Sequence, residues 1–178
     1  MSLIADMEAL VVSRLRGALT IAGQAHPKVD VEPWPDDPAA YRMRHPRGAV
    51  LIMYRGAKFE EGATARQTVA FDARFEIGLL SKTLRAPAVA TGVGEPDTGV
   101  YTLLDDCRAA LLGWRAEGSA NTARLVAESY EDYREGVWSY SLSMAIPMLT
   151  IVNRASATGL YDASGEPALN NLNFQEMA

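Results

Sequence analysis

Two segments of the chain alternate apolar and polar residues with a period of two, and they constrain the fold more than any other feature. In Thr68–Leu80 the apolar residues occupy every second position, with charged or polar residues at most positions between them. In Val137–Ile146 apolar and aromatic residues alternate with three serines. Because successive side chains of a strand point to opposite faces, each segment predicts a strand with one buried and one solvent-facing side. No residue suited to catalysis interrupts either pattern, so we expect a scaffold that functions through its surfaces.

Two other segments repeat their apolar residues at the spacing of an amphipathic helix. Residues 3–22 carry apolar residues every three or four positions and charged residues on the other side. The second helix is predicted to begin after a cap at Asp97 or Thr98. It is predicted to run to about Trp114, with Cys107 on its apolar stripe. Both helices are expected to pack on a sheet.

Three shorter segments complete the predicted sheet. Val29–Trp34 lies in a proline-rich region and is expected at an edge, because proline cannot donate to a ladder on both sides. Ala49–Tyr54 is a continuous apolar run and predicts a strand buried on both faces. A strand over Leu125–Tyr130 joins the last strand through an acidic turn, and Pro147 is expected to follow that last strand. The sequence therefore predicts an α+β domain with a mostly antiparallel sheet of about four strands and two helices packed on it.

The chain is predicted to consist of one domain and a C-terminal tail. Residues 1–152 contain all of the regular patterning, whereas residues 153–178 are rich in small residues and asparagine. Such a composition cannot build its own core. Isolated apolar residues are spaced along the tail, namely Leu160, Tyr161, Leu169, Leu172 and Phe174, and the last three are the candidate contacts. Two interpretations stay open: a disordered end, or an extended arm that docks on a neighbouring subunit.

Composition limits the classes of protein to which the chain can belong. Its 178 residues include 17 Lys and Arg against 22 Asp and Glu, a net charge of −5, which argues against a protein whose main task is binding nucleic acid. The single cysteine excludes an internal disulfide framework and fits a reducing compartment. No apolar run reaches the roughly 18 to 20 residues that cross a bilayer, and the N-terminus lacks the pattern of a signal peptide. We expect a protein that folds in the cytosol, without a membrane partner.

The sequence contains no arrangement typical of catalysis or of cofactor binding. His26 and His45 each lie beside a proline in a predicted loop, without the partners that acid–base catalysis or metal binding needs. Cys107 lies on the apolar stripe of the second predicted helix, so we expect it to pack in the core and not to act as a nucleophile. The stretch TGVGEPDTG precedes a helix but lacks the lysine of a phosphate-binding loop. We therefore predict no enzyme activity, no cofactor, and no catalytic or metal-binding residues.

Two charged segments at predicted hairpin tips are the best candidates for contacts with a partner. One is Arg55–Arg66, and the other is the acidic segment Glu131–Gly136. Tyrosine and arginine, which are enriched at protein interfaces, occur in or beside the second segment. A solvated turn is the alternative interpretation for each. The candidate contact residues in and beside the two tips are Arg55, Lys58, Arg66, Tyr130, Tyr133 and Arg134.

The order of the patterned segments resembles that of a known protein family. A YRG triplet follows the short apolar strand, an LLD triplet opens the second helix, and a strand with the pattern W-x-Y follows the acidic turn. With these features the chain resembles the tail-terminator, or tail-completion, family of Mu-like contractile-tailed phages and prophages. The resemblance covers residues 4–151. It is carried by the segments IADMEALVVSRLRGAL, AVLIMYRGAKFEE, RQTVAFDARFEIGLLSKTLR, GVYTLLDDCRAALLGW and ESYEDYREGVWSYSLSMAIPM.

The resemblance implies a structural role in the phage tail. Terminators of this type form a hexameric ring that caps the tail tube and then meets the neck connector. The implied partners are further copies of the chain, the tube protein, the sheath and the neck connector, while DNA passes through the lumen without sequence-specific binding. The two hairpin tips and the C-terminal arm are then the candidate ring contacts, because a ring closes only through two different complementary patches on each subunit. Residues 26–47 and the tail after residue 151 show no clear family pattern.

Two alternatives fit the same sequence. The first is another tail or neck component, such as an adaptor or a tube protein. The second is a small-ligand-binding α+β domain, with Trp34, Tyr101 and Trp114 lining a pocket between the helices and the sheet. Aromatic residues near helix ends are more often part of a core than of a pocket.

Overall fold

In the part of the chain that the structure describes, two helices pack on a sheet of five strands. The computed structural model describes residues 3–22, 24–37, 41–59, 68–85 and 99–151. The elements, in chain order, are α1 (Leu3–Ala18), β1 (Asp30–Pro33), β2 (Ala49–Phe59), β3 (Thr68–Ser81), α2 (Val100–Leu111), β4 (Arg124–Arg134) and β5 (Val137–Ile151). No helix in the described part of the chain has the length and hydrophobicity needed to span a bilayer.

The strands form a single mixed sheet in the order β1-β2-β3-β5-β4. β1 runs parallel to β2, and the other neighbouring pairs are antiparallel. The sheet therefore has five strands instead of about four, and the predicted α+β class with a mostly antiparallel sheet is confirmed. The proline-containing strand β1 does lie at an edge, as the sequence predicts.

Both helices cover the same face of the sheet, here called the inner face. The alternating apolar residues of β3 and β5 point to it, and Phe75, Ile77 and Leu142 are at most 1% exposed. The helices contribute their apolar stripes, including Leu15 of α1 and Leu103 of α2, to the same core. The period-two pattern of the sequence therefore identifies the core face correctly. The opposite side, which carries the intervening charged residues and serines, is the outer face.

At the β1 end of the sheet, the outer face is also covered. Ala49, Val50, Leu51 and Ile52 are all at most 1% exposed, which confirms the prediction of a strand segment buried on both faces. The cover comes from Trp34, which follows β1 and whose ring lies against Gly78. A Cβ atom at Gly78 would lie 2.5 Å from Cζ3 of the Trp34 ring. Glycine is the residue that permits this close approach.

Several predicted boundaries are wrong because tertiary contacts override local signals. α1 ends at Ala18, because the chain then turns back to form a bridge between Thr20 and Pro27. α2 begins at Val100, and its N-cap is Gly99 without a side-chain bond, so the predicted cap at Asp97 or Thr98 is incorrect. Those two residues lie outside the described part of the chain.

Pro147 lies inside β5 instead of after it. β4 begins at Arg124 opposite Ala145 and does not reach Pro147, so at Pro147 β5 has a neighbouring strand only on the β3 side, where Pro147 pairs with Asp72. The carbonyl of Pro147 accepts a hydrogen bond from the backbone N–H of Ala120 at 2.8 Å, on the side that β4 has left. The N–H that proline lacks would point to that same side, so no ladder bond is lost.

Both hairpins are longer than predicted. β2 continues to Phe59 past a bulge at Arg55. β4 continues to Arg134, so most of the predicted acidic turn is strand, and only Glu135 and Gly136 form the turn. Their φ values are 52° and 80°, as expected for a two-residue hairpin loop with positive φ at both central positions.

Candidate interaction surfaces

The two hairpin tips lie at opposite ends of the sheet. β3 and β5 pair continuously from Thr68 opposite Ile151 to Ser81 opposite Trp138. At about 3.3 Å per residue, this separates the two ends by roughly 40 Å. Arg55 and Lys58 therefore belong to one end, which we call the β2–β3 end, and β5 also ends there. Tyr130, Tyr133 and Arg134 belong to the other, which we call the β4–β5 end.

Cations gather on the outer face between the middle of the sheet and the β2–β3 end. The register places Lys58 beside Asp72, and Arg74 beside both Gly56 and Ala145, which in turn faces Arg124. We call Arg55, Lys58, Arg74 and Arg124 the basic outer patch. Asp72 and Glu76 are the two carboxylates between them.

Two ion pairs use part of this charge. Arg55 contacts Glu76 at 3.1 Å, and Arg124 contacts Asp72, whose side chain is only 13% exposed. Arg74 and Lys58 are exposed and form no ion pair within the described residues. The patch therefore keeps an excess of positive charge.

Apolar side chains flank the basic outer patch. Val126 is 56% exposed and Leu149 is 54% exposed. A groove of about 320 Å³ is lined by residues that include Arg55, Arg74, Val126 and Ser143. Sequence reasoning selected Arg55 and Lys58 but missed Arg74, Arg124 and the two apolar residues. The only available signal was that Arg74 occupies a solvent-facing position of the alternating pattern.

Aromatic rings gather at the β4–β5 end, on the inner face beyond the core. Tyr133 stacks against Trp138 with a centroid distance of 4.5 Å, and Tyr130 lies 5.3 Å from Tyr140. Tyr140 also meets Tyr101 of α2 edge-on at 5.8 Å. The hydrogen bond between the Tyr140 and Tyr101 hydroxyls, with a smaller effect of burial, raises the pKa of Tyr140 to about 12. We call these five residues the aromatic cluster.

The aromatic cluster remains partly open to solvent. Tyr130 and Tyr133 are each 51% exposed, as tyrosines at a protein interface are before a partner covers them. Arg108 of α2 holds the neighbouring strand in place: it donates to Glu128 at 2.9 Å and to Asp105 at 2.7 Å. The predicted contacts Tyr130 and Tyr133 thus belong to one surface.

Arg134 contributes to a different surface beside the aromatic cluster. It lies on the wall of an outer-face cavity of about 640 Å³, together with Tyr41, Arg42, Lys82 and Glu135. Burial, together with the neighbouring Glu32 carboxylate, raises the pKa of Tyr41 to about 12. The hydroxyl of Tyr41 therefore stays protonated at neutral pH.

The two edges of the sheet are protected to different degrees. β1 is four residues long, and its Val31 carbonyl accepts a hydrogen bond from Arg16 Nε at 2.8 Å. β4 has eleven residues, nearly all exposed, and within the described residues it pairs with β5 alone. Bulges at Val126 and Glu131 interrupt its register. Such bulges and charges limit uncontrolled pairing at an open edge.

The cysteine and histidine side chains that could take part in catalysis or metal binding have structural surroundings. Cys107 is fully buried, and burial raises the pKa of its thiol to about 12, which keeps it from forming a thiolate at neutral pH. His45 accepts a hydrogen bond at Nδ1 from the backbone N–H of Arg47 at 3.3 Å. In the described ranges, no three His, Cys, Asp or Glu side chains are grouped as a metal site requires.

Some predicted contacts cannot be placed, and three aromatic residues are separated. Arg66, Leu169, Leu172 and Phe174 lie outside the described residues. Trp34 lies on the outer face against Gly78, whereas Tyr101 meets Tyr140 on the inner face. Trp114 packs against the inner core. These three aromatic residues therefore do not line one pocket.

A comparison with known protein families found a match that covers most of the chain. A family model described as Gp37 protein matches residues 11–176. No curated protein matches the chain significantly. The match spans both the proline-rich segment 26–47 and most of the C-terminal tail, two regions in which the sequence alone showed no family pattern.

Proposed function

Since the chain belongs to the Gp37 family of phage proteins, we propose that it is a structural protein of the phage tail, the terminator. In this role a hexameric ring of the chain caps the tail tube and joins it to the neck connector. The sequence segments that resemble the tail-terminator family motivate the finer assignment. The virion tail is the proposed location, after folding in the host cytoplasm.

The separation of the two surfaces is the observation that carries the proposal. A ring forms when a head-to-tail contact closes on itself, which requires two different patches on each subunit. The basic outer patch and the aromatic cluster differ in chemistry, lie on opposite faces of the sheet, and are offset by roughly 20 Å along β5, from Ala145 to Tyr140 and Trp138. An arrangement of this kind suits repeated contacts around a ring better than a two-fold dimer.

The remaining surfaces are assigned to the tube, the sheath and the neck connector. These partners cover the two ends of a ring, while neighbouring subunits cover its sides. DNA passes through the lumen, and the net charge of −5 of the chain disfavours adhesion of phosphates. No enzymatic step is part of the proposal.

Native mass spectrometry and negative-stain microscopy of the protein mixed with tail tubes test the assignment. We expect a single ring of about six copies at one end of each tube. A free subunit that stays monomeric and never forms a ring on tubes contradicts the proposal. A copy number per virion many times higher than six indicates a tube protein instead, because tube proteins continue to stack.

A further inference from the structure

The basic outer patch is a charged sheet face without a cover in the described part of the chain. Arg55, Lys58, Arg74 and Arg124 share it with the two carboxylates Asp72 and Glu76. Both helices pack on the inner face, and Trp34 covers the outer face only near Gly78. A partner for this face must therefore bring negative charge.

The partner must also bring apolar side chains. Val126 and Leu149 are each more than half exposed. Val126 lines the same groove as Arg55 and Arg74, and Leu149 lies on the outer face beyond it, opposite Ala70. Exposed apolar groups beside arginine are typical of a protein contact surface. A free inorganic anion would satisfy the cations but not these two side chains.

The C-terminal segment of the chain has both properties. Residues 152–178 contain Asp162, Glu166 and Glu176 against the single cation Arg154. The same segment carries spaced apolar residues: Leu160 and Tyr161, and then the three residues Leu169, Leu172 and Phe174. The family match extends to residue 176, so nearly the whole segment belongs to the family pattern.

The point at which the segment leaves the domain also favours this pairing. β5 ends at Ile151 opposite Thr68, six residues or roughly 20 Å beyond Ala145, which pairs with Arg74 at the centre of the patch. Residues 152–168 precede the first of the three apolar residues, and about 17 extended residues reach up to about 55 Å. The patch measures only about 15 Å across its four strands. This reach is long enough for these apolar residues to pass the patch of their own subunit and meet that of a neighbour.

We propose that residues 152–178 of one copy dock on the basic outer patch of the next copy. The acidic side chains pair with Arg74 and Lys58, and the apolar residues cover Val126 and Leu149. This inference rests on the proposed ring, in which each copy has a neighbour on either side. It assigns the patch to the arm of a second copy, which neither the fold nor the family match specifies.

Photo-cross-linking identifies the docking site and the chain that fills it. A photoreactive amino acid replaces Leu172 in the full-length protein, and equal amounts of light-isotope and heavy-isotope chains are mixed before irradiation. We expect cross-links from residue 172 to peptides of β3, β4 or β5 that contain the patch, with light and heavy chains joined to each other. Cross-links confined to one chain, cross-links to another surface, or no cross-links overturn the inference.

Charge reversal tests the electrostatic part. The variant carrying Lys58→Glu and Arg74→Glu is compared with Lys82→Glu, which reverses an exposed cation at the opposite end of β3. We expect the patch variant to weaken self-association by at least about tenfold at low salt, and the control to stay within about twofold. Equal behaviour of the two variants counts against the inference. Circular dichroism verifies that each variant is folded.

The outcomes separate this inference from the proposed function. Rings on tube ends that persist in the patch variant, without patch cross-links in the natural protein, support the terminator assignment but remove both the arm contact and the basic outer patch from the ring interface. Patch cross-links between chains without any ring on tubes support the arm contact and contradict the terminator assignment. Deleting residues 153–178 provides a third readout, because the domain should remain folded while association weakens.

Discussion

The inner and outer faces of β3 differ although they belong to one strand. On the inner face Phe75, Ile77 and Leu79 are at most 1% exposed beneath the two helices. On the outer face Arg74 is exposed and Glu76 binds Arg55. Burial of apolar area is the dominant favourable term in folding, so the inner face supplies stability. The outer face is therefore free to carry charged residues.

The outer face is itself divided into two regions. Near the β1 end the Trp34 ring lies against Gly78, and Leu51 is 1% exposed. At the β2–β3 end the basic outer patch stays open, with Leu149 54% exposed. The first region therefore belongs to the core, and the second belongs to the surface. Four predictions test the distinction between core and surface on the two faces, in order of decreasing expected effect.

The largest effect is expected on the inner face. Phe75→Ala removes a ring that is 1% exposed, so the free energy of unfolding should fall by about 3 to 5 kcal/mol. Phe59→Ala is the control, because Phe59 is 60% exposed and should cost about 1 kcal/mol or less. Urea denaturation measures both. Similar losses for the two variants would show that the inner face does not dominate stability.

An intermediate effect is expected where Trp34 covers the outer face. Gly78→Ala places a methyl group 2.5 Å from the Trp34 ring, so the ring must move. The free energy of unfolding should therefore fall by about 1 to 3 kcal/mol. Gly17→Ala is the matched control, since a Cβ at Gly17 meets nothing within 4 Å. In a helix that change should stabilise by about 0.5 to 1 kcal/mol. If Gly78→Ala leaves the free energy of unfolding unchanged, Trp34 does not pack tightly over this region.

Burial of Cys107 predicts a loss of stability at high pH. Its pKa is raised to about 12 in the folded protein, against about 8.5 for an unfolded thiol. As the pH rises between these values, the unfolded chain loses the proton and the folded chain keeps it. The free energy of unfolding should therefore fall by up to about 1.4 kcal/mol per pH unit from this group.

The Cys107→Ala variant isolates that contribution from other titrating groups. Urea denaturation between pH 8 and about 10.5 should show a steeper decline for the natural protein than for the variant. A thiol reagent should also react slowly with the folded protein and rapidly after unfolding. If the free energy of unfolding declines equally with pH in the two proteins and the reagent labels the folded protein rapidly, the Cys107 thiol is accessible to solvent.

The smallest effect on stability is expected in the basic outer patch. Arg74 is exposed and forms no ion pair within the described residues, so Arg74→Glu should change the free energy of unfolding by no more than about 0.5 kcal/mol. Its effect on association should be much larger. A loss of stability comparable to that of Gly78→Ala would place Arg74 in the folding core and weaken the division of the outer face.

Local chemistry determined the elements and the core face. The period-two alternation of Thr68–Leu80 and the helical spacing in residues 3–22 depend only on backbone geometry. They identify which side of each element is buried without knowledge of its partner. The proline content of the segment that contains β1 likewise placed that strand at an edge, since proline lacks a backbone donor.

Only the tertiary structure decided which elements are neighbours, and the candidate surfaces depend on that. Arg74 and Arg124 are fifty positions apart in the chain, yet both face Ala145 because β5 lies between β3 and β4. Trp34 and Gly78 meet for the same reason, through pairing of β1, β2 and β3. The free energy of burying apolar area is non-directional, so an apolar pattern states that a face must be covered but not by which element. Strand order and register supply that information, and with it the grouping of charges into the basic outer patch.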